Sequence, residues 1–190
     1  MTKSRVEAFS DGVVAILITI MVLELRPPHE PGIGALRPLL PTFLAYVLSF
    51  VYLGIYWSNH HHLFQAVRRV SGAVLWANLH LLFWLSIIPF TTAWLGDTVN
   101  AQVPTAVYGA VLLMASIAYY VLVRAMLRVE GPDSPLAIAV GNDVKGRVST
   151  ALYVCAIPLA FVHQIIADVI YVGVALMWLV PDRRIESRVS

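Results

Sequence analysis

The sequence predicts an all-α integral membrane protein with six transmembrane helices and with both termini in the cytoplasm. Hydrophobic residues make up 59% of the 190 residues and charged residues only 13%, whereas soluble domains carry about 25% charged residues. The mean hydropathy is +0.77. The apolar residues form stretches of about 20 residues, the length that crosses a bilayer. We expect a single transmembrane domain over residues 1–190, without a second domain.

The first two helices are separated by a proline-rich connection. The amino-terminal stretch MTKSRVEAFSDG contains acidic residues and no small-residue cleavage pattern, so we expect a retained helix and no signal peptide. This helix ends at RPPHEPGIGALRPLLP, where prolines and glycines indicate a loop or a re-entrant turn. The second helix is predicted to continue through SNHHHLFQAV.

The other four helices follow from the remaining apolar stretches. The third and fourth are separate apolar runs, and VEGPDSPLAIAVGNDVKG after the fourth is predicted as a cytoplasmic loop. The last apolar block, residues 148–180, is too long for one crossing, so we divide it at His163–Gln164. The predicted ranges are 5–25, 41–67, 72–95, 103–127, 146–162 and 165–181.

The distribution of basic residues supports six crossings. Short cytoplasmic loops are enriched in Lys and Arg. With six crossings, 11 of the 13 basic residues lie on the side of the termini, and only Arg26 and Arg37 lie opposite. Five crossings would move the carboxyl terminus to the other side. The residues on the cytoplasmic side are Lys3, Arg5, Arg68, Arg69, Arg124, Arg128, Lys145, Arg147, Arg183, Arg184 and Arg188.

No pattern of catalytic or metal-ligating residues stands out. The three consecutive histidines of NHHHLF point about 100° apart on a helix, whereas metal sites on helices use i, i+3 or i, i+4 spacing. The one cysteine, Cys155, lies in an apolar run and is expected to act as a small hydrophobic residue. We therefore predict no enzymatic activity, no catalytic residue, no metal and no cofactor.

Polar residues cluster near the cytoplasmic ends of the first three helices. Ser10 and Asp11 lie on the first, Asn59–His62 on the second, and Trp76, Asn78 and His80 on the third. Since polar groups in the membrane need partners, Asp11 is expected to accept from His60 or Asn78. The indole N–H of Trp57 or Trp76 is expected as a further donor. The alternative is that the histidines form an interfacial band.

The first helix also carries an aliphatic stripe. At about 100° per residue, Ile16, Thr19, Ile20 and Leu23 fall on one face, and Ser10 and Asp11 each lie roughly 130° from its centre. Thr19 could bond the Ala15 carbonyl, which is common for Thr in membrane helices. Because the whole helix is apolar, these angles leave lipid, a neighbouring helix and a pore axis open as the surroundings of the stripe.

The residues around the stripe resemble the bacterial transmembrane protein 175 family, relatives of the endosomal and lysosomal potassium channel. The resemblance rests on RVEAFSDGV at residues 5–13, which contains an Arg–x3–Phe–Ser–Asp motif, and on Trp57, His60 and Phe64. Further matches are AI at 15–16, Thr19, VLE at 22–24, NL at 78–79 and PFT at 89–91. The resemblance covers about the first 95 residues and continues loosely to WLVPDRRIE.

This resemblance implies a potassium-permeable channel in the bacterial inner membrane, formed by a homotetramer and lined by the first helix of each subunit. It assigns Ile16 to the narrowest hydrophobic ring, Ile20 and Leu23 to further rings, and Thr19 to selectivity, without a carbonyl selectivity filter. The implied permeant ion is K+. The residues implied to lock the first helix to its neighbours are Arg5, Phe9, Ser10, Asp11, Trp57, His60 and Asn78.

Two other functions compete with this one. A proton- or cation-coupled transporter could use the Asp and His cluster as its relay, with Asp168 as a second group, although we see no internal repeat of the kind many transporters carry. A purely structural membrane protein would conduct nothing. His61, His62 and His80 go beyond the family residues, so a pH response and an interfacial position without a role both stay open for them.

Overall fold

Helices make up most of the chain. The computed structural model describes residues 2–98 and 101–179, and no strand occurs among them. In chain order the helices are α1 (Lys3–Met21), α2 (Leu40–Gln65), α3 (Gly72–Asp97), α4 (Gln102–Glu130), α5 (Pro135–Val140), α6 (Val144–Val162) and α7 (Gln164–Leu179).

The long helices have the dimensions of membrane spans. Within the described residues, five segments are long and apolar enough to cross a bilayer by length and composition. They are Lys3–Glu24, Ile33–Gln65, Gly72–Asp97, Gln102–Glu130 and Val144–Val162. The described part of α7, Gln164–Leu179, is apolar but shorter. An all-helical membrane fold is thus confirmed, whereas six crossings and cytoplasmic termini stay predictions; residues 180–181 and the basic residues from Arg183 onward lie outside the described part.

The connection between α1 and α2 is more ordered than the expected loop. α1 ends at Met21 and continues as a 3-10 turn over Val22–Glu24. A second 3-10 segment, Ile33–Leu39, leads directly into α2. Pro41 lies in the first turn of α2, where its missing N–H costs nothing because the first N–H groups of a helix have no partner within it. The prolines therefore shape the entry to α2.

The connection predicted as a loop after α4 contains the short helix α5. The Ser134 hydroxyl accepts a hydrogen bond from the Ala137 amide at 3.1 Å, and Pro135 occupies the first turn. Both are typical of helix starts. Leu136 is buried, so the apolar content of this segment anchors it to the helices.

α6 and α7 are separated by one extended residue. His163 has φ −159° and ψ 113°, which ends α6 at the place where the sequence was divided. The carbonyl of Phe161, near this end, accepts a hydrogen bond from the Gln102 side chain at 3.0 Å. Since the last carbonyls of a helix lack partners within it, Gln102 supplies one from α4.

Buried tyrosines bind α2 to the later helices. The Tyr52 hydroxyl donates to the Tyr171 carbonyl at 2.6 Å and accepts from the Tyr153 hydroxyl at 3.2 Å. Tyr171 in turn donates to the Thr105 carbonyl at 3.1 Å. These bonds join α2, α4, α6 and α7 within the core. α1 lies outside this group and packs against α2 and α3.

Candidate functional site

α1 presents one face to the rest of the subunit. The buried residues recur every three or four positions, which is the spacing of one helix face. Ser10 is the polar member of this set, and the other members are aliphatic or Met. The buried residues of α1 are Val6, Ser10, Val14, Leu17 and Met21.

The aliphatic stripe of the first helix lies on the opposite, uncovered side. Ile16 is 59% exposed, Ile20 40% and Leu23 74%, so much of their surface is left open by the subunit. Leu23 belongs to the 3-10 turn that follows α1. Thr19 is exposed between them, and its hydroxyl donates to the Ile16 carbonyl at 2.9 Å. We call Ile16, Thr19, Ile20 and Leu23 the uncovered stripe.

Ser10 begins a chain of hydrogen bonds that joins three helices. The Ser10 hydroxyl donates to the Val6 carbonyl at 2.9 Å and accepts from Asn78 Nδ2 at 2.9 Å. Asn78 Oδ1 therefore faces His60 Nε2, 2.8 Å away. Because an amide oxygen only accepts, His60 carries its proton on Nε2. Ser10, His60 and Asn78 are all buried, and each is satisfied by its neighbour.

Asp11 makes a separate contact at the edge of the same interface. The Trp57 indole Nε1 donates to Asp11 Oδ1 at 3.0 Å, and the Trp57 ring stacks on His61 with centroids 6.2 Å apart. The expectation that Asp11 accepts from His60 or Asn78 is wrong. Ser10 lies on the buried face of α1 and accepts from Asn78. Asp11 lies about 100° further round the helix and accepts from Trp57.

Not every predicted residue joins these contacts. Arg5 and Phe9 are exposed, and the Arg5 side chain has no hydrogen bond or ion pair with a described residue. Trp76 is also exposed. His80 accepts from Trp84 on its own helix at 3.0 Å. The structure therefore brings together five of the seven predicted lock residues and leaves Arg5 and Phe9 outside.

The three consecutive histidines have different surroundings. His60 bonds Asn78. His61 Nε2 lies 2.8 Å from Gln65 Nε2 on the same helix. His62 Nδ1 is buried without a hydrogen-bond partner among the described residues. Among those residues, no group of three His, Cys, Asp or Glu side chains converges as a metal site would require. Cys155 is exposed on α6.

Two residues of the interface were not predicted as site residues, although Phe64 was among those that carry the resemblance. The Val6 carbonyl accepts a hydrogen bond from the Ser10 hydroxyl, and Phe64 stacks on His60 with ring centroids 4.4 Å apart. Both lie four residues from their partners. A Ser bonding the carbonyl four residues earlier is common in membrane helices, and an i, i+4 aromatic pair shares one face. The spacing was therefore the available signal.

Comparisons with known proteins identify the family of the chain. The sequence pattern of the family described as "Endosomal/lysosomal potassium channel TMEM175" matches residues 5–89, which contain nearly all of α1, the whole of α2 and most of α3. A protein named potassium channel from Chryseobacterium sp. (strain P1-3) is 54% identical, covering 98% of this chain and 97% of its own length. A protein of the same description from Streptomyces collinus is 35% identical over 84% of this chain and 83% of its own.

A solved structure is similar along nearly the whole chain. It is the crystal structure of a lysosomal potassium-selective channel TMEM175 homolog from Chamaesiphon minutus, with a TM-score of 0.80 and 30% identity. The match covers 93% of this chain and 96% of that one. The apolar helices and the bacterial relatives indicate a multi-pass protein of the cell membrane. The chain is a bacterial member of the TMEM175 family.

Proposed function

We propose that this chain is one subunit of a potassium-permeable cation channel whose pore is lined by the uncovered stripe of α1. The observation that carries the proposal is the position of the stripe. Ile16, Ile20 and Leu23 are between 40% and 74% exposed, while Ser10 attaches the opposite side of the same helix to α3. The relatives that are named potassium channels support the same function.

A pore of this kind needs several copies of the chain. One stripe covers only one side of a channel, so the stripes must face each other around a common axis. We propose a homotetramer, which closes by four-fold rotation. The Ile16 side chains then form the narrowest ring, and Ile20 and Leu23 form wider rings. A ring of aliphatic side chains expels water from a narrow pore and blocks ions until the helices move apart.

Selectivity must come from the pore width and from Thr19. The backbone carbonyls of α1 bond within the helix, so they are not available as a carbonyl filter. A tenfold preference for K+ over Na+ corresponds to about 1.4 kcal/mol, or roughly 0.35 kcal/mol for each of four Thr19 hydroxyls. One weak interaction per subunit can supply this difference in free energy. K+ is the permeant ion in this proposal, and no cofactor or catalytic step takes part.

The polar contacts set the orientation of the stripe. Ser10, Asn78 and His60 join α1 to α3 and α2 on the buried side, and Trp57 fixes Asp11 one residue further along. Because the two attachments lie at different angles around α1, they oppose rotation of the helix. We propose that Arg5 and Phe9, which are exposed, contact a neighbouring subunit.

Cysteine accessibility along α1 tests the proposal. The background is Cys155→Ser, which removes the exposed native thiol. We expect a water-soluble, charged thiosulfonate reagent to block the current of Ile16→Cys, Ile20→Cys and Leu23→Cys channels in planar bilayers. Val14→Cys and Leu17→Cys are the matched controls, since both residues are buried within the subunit and should stay unmodified.

The pattern of block decides between the surroundings of the stripe. Block confined to the uncovered stripe supports a water-filled pore at α1. The channels with a cysteine in the stripe could instead conduct normally after treatment with the charged reagent, while a lipid-soluble maleimide labels the same cysteines. In that case the stripe faces lipid and the pore assignment is wrong.

A further inference from the structure

Two neighbouring helices border α1, one on each flank of the uncovered stripe. Asp11 accepts from Trp57 of α2, and Ser10 accepts from Asn78 of α3. Around α1 these two attachments are about 100° apart, and each lies roughly 130° from the centre of the uncovered stripe. The three angles complete a circle, so α2 borders one flank of the stripe and α3 borders the other.

The face of α2 beside this contact is exposed and apolar. Positions spaced by three and four residues share one face of a helix, and Trp57 belongs to such a set. The large members of the set are between 40% and 49% exposed, and the space next to its glycine is open within the described part of the subunit. We call this set the α2 stripe: Phe43, Val47, Phe50, Gly54 and Trp57.

α3 has an exposed face with the same spacing. It runs beside Asn78, since Leu79 is the next residue in the chain. Its apolar members are between 43% and 75% exposed, and Ser86 is an exposed member with a short side chain. We call this set the α3 stripe: Trp76, Leu79, Phe83, Ser86 and Phe90.

The composition of the two stripes differs from that of the other exposed faces. Both stripes are rich in Phe and Trp, whereas the exposed large hydrophobic residues described on α6 and α7 are Val, Ile and Leu, apart from Phe161. Lipid tails are as apolar as Leu, so aliphatic side chains suffice where a helix faces lipid. Aromatic side chains are enriched where proteins contact each other. The composition therefore favours a protein partner for the two stripes.

Contacts within the subunit give the relative depth of the two stripes. α2 and α3 are antiparallel neighbours: His60 bonds Asn78 near one end, and Thr42 bonds the Gly96 carbonyl near the other. Each step back along α2 is therefore level with a step forward along α3, to about one turn. Rotation about an axis along the membrane normal keeps depth unchanged, so the same register holds between α2 of one copy and α3 of another.

In this register, each stripe places a phenylalanine opposite a small residue. Gly54 lies six residues before the α2 member of the first pair, and Phe83 lies five residues after its α3 member. Phe50 and Ser86 lie ten and eight residues from the same pair. At about 1.5 Å per residue, the depths differ by about 1.5 and 3 Å. Small residues let membrane helices approach closely, so each phenylalanine can pack over the small residue opposite.

We propose that the α2 stripe of each subunit packs against the α3 stripe of the next subunit. The partner is a second copy of this chain. Rotation about the pore axis brings the α2 flank of one copy to the α3 flank of its neighbour, which is a heterologous interface that closes into a ring. The inference rests on the proposed function, because it places the axis in front of the uncovered stripe.

Cross-linking of the full-length chain in membranes tests the interface. The background is Cys155→Ser, and the test variant adds Phe50→Cys and Phe90→Cys, one on each stripe at nearly the same depth. With bismaleimidoethane we expect a ladder of dimers, trimers and tetramers on denaturing gels, because each copy links to two neighbours. Either cysteine alone should leave monomers, since like stripes do not meet. The matched control carries Phe161→Cys in place of Phe50→Cys, an identical change at an exposed position of α6, and should give no ladder.

The cross-linked products separate failure of the interface from failure of the pore. A ladder no stronger than that of the control would overturn the proposal. So would products that stop at dimers, because a self-complementary interface links only pairs. Leu23→Cys places its cysteines around the axis and should link in pairs. Leu23→Cys dimers without a ladder would mean that the pore stands and its subunits meet elsewhere. Absence of both products would overturn the shared axis together with the interface.

A side chain at the glycine of the α2 stripe gives a second test. Gly54→Leu occupies the space where Phe83 of the next copy should pack, so we expect the tetramer fraction in native mass spectrometry to fall severalfold. Gly173→Leu is the matched control, since it makes the same change on α7 with open space around it, and it should leave the tetramer intact. Equal tetramer fractions in the two variants would overturn the close approach at Gly54.

Discussion

Asn78 of α3 donates a hydrogen bond of 2.9 Å to the Ser10 hydroxyl of α1, on the side of α1 that faces away from Ile16. The bond is buried, and its continuation to His60 ties α2 into the same chain. An apolar helix can rotate among apolar neighbours at little cost, but a buried polar chain is satisfied in only one orientation. The polar side of α1 therefore determines which residues its other side exposes.

Loss of the Asn78 side chain should destabilise the subunit. In Asn78→Ala, the Ser10 oxygen and the His60 Nε2 proton lose their partners. An unsatisfied buried group costs about 1–3 kcal/mol. We therefore expect the free energy of unfolding to fall by an amount in this range, as measured by reversible unfolding in mixed micelles. The control is Asn59→Ala, because Asn59 donates only to the Ile55 carbonyl on its own helix. Equal stability of the two variants would mean that the polar chain does not hold α1.

A polar residue at the proposed constriction should increase conductance. In Ile16→Asn, four amides replace the aliphatic ring and keep water in the pore, so ions meet a lower barrier. We expect single-channel conductance to rise about twofold or more. The matched control is Ile33→Asn, an identical change at an exposed position of the α1–α2 connection, which should conduct normally. Unchanged conductance of Ile16→Asn would place the constriction elsewhere.

Removal of the Thr19 hydroxyl should weaken the preference for K+. Thr19→Ala deletes the exposed hydroxyl of the uncovered stripe, so we expect the permeability ratio of K+ to Na+ to fall, by up to about tenfold if each subunit loses roughly 0.35 kcal/mol. Thr19→Ser keeps the hydroxyl and should retain most of the ratio. If Thr19→Ala and the natural protein have equal ratios, selectivity does not depend on this hydroxyl.

Gly109 should tolerate no side chain. A Cβ on Gly109 would overlap the Tyr171 hydroxyl and lie 2.7 Å from its Cζ, and Tyr171 is fully buried. Gly109→Ala must displace this ring and break its hydrogen bonds, so we expect the free energy of unfolding to fall by about 1–3 kcal/mol. Gly173→Ala, on α7 with open space around it, should gain up to about 1 kcal/mol from helix propensity. Thermal unfolding of both variants measures the difference, and similar melting temperatures would contradict the close contact.

The helices were predictable because apolar length carries the signal. The division of the last apolar block at His163 came from polar residues inside an overlong stretch, and His163 is where α6 ends. The short helix α5 was missed because six residues are too few for periodicity to be recognised. Its signals were local instead, namely the Ser134 cap and Pro135 in the first turn.

The site was predictable in its composition and less so in its pairing. Helical angles separated Ser10 and Asp11 from the stripe, but they could not decide which of the two reaches Asn78. That choice depends on how α1 sits against α3, since neighbouring residues differ by about 100°. A cavity beside Asp143, lined by residues of α2, α4, α6 and α7, gave no sequence signal, because these helices are distant in the chain.

The most direct test of the channel proposal is the reversal potential of the purified protein in planar bilayers, with K+ on one side and Na+ on the other. The account predicts discrete current steps and a reversal potential displaced in the direction that favours K+, by about 59 mV for each tenfold preference. Absence of steps, together with slow, saturating flux in liposomes that depends on pH, would contradict it. That result would indicate a coupled transporter using Asp11 and the histidines.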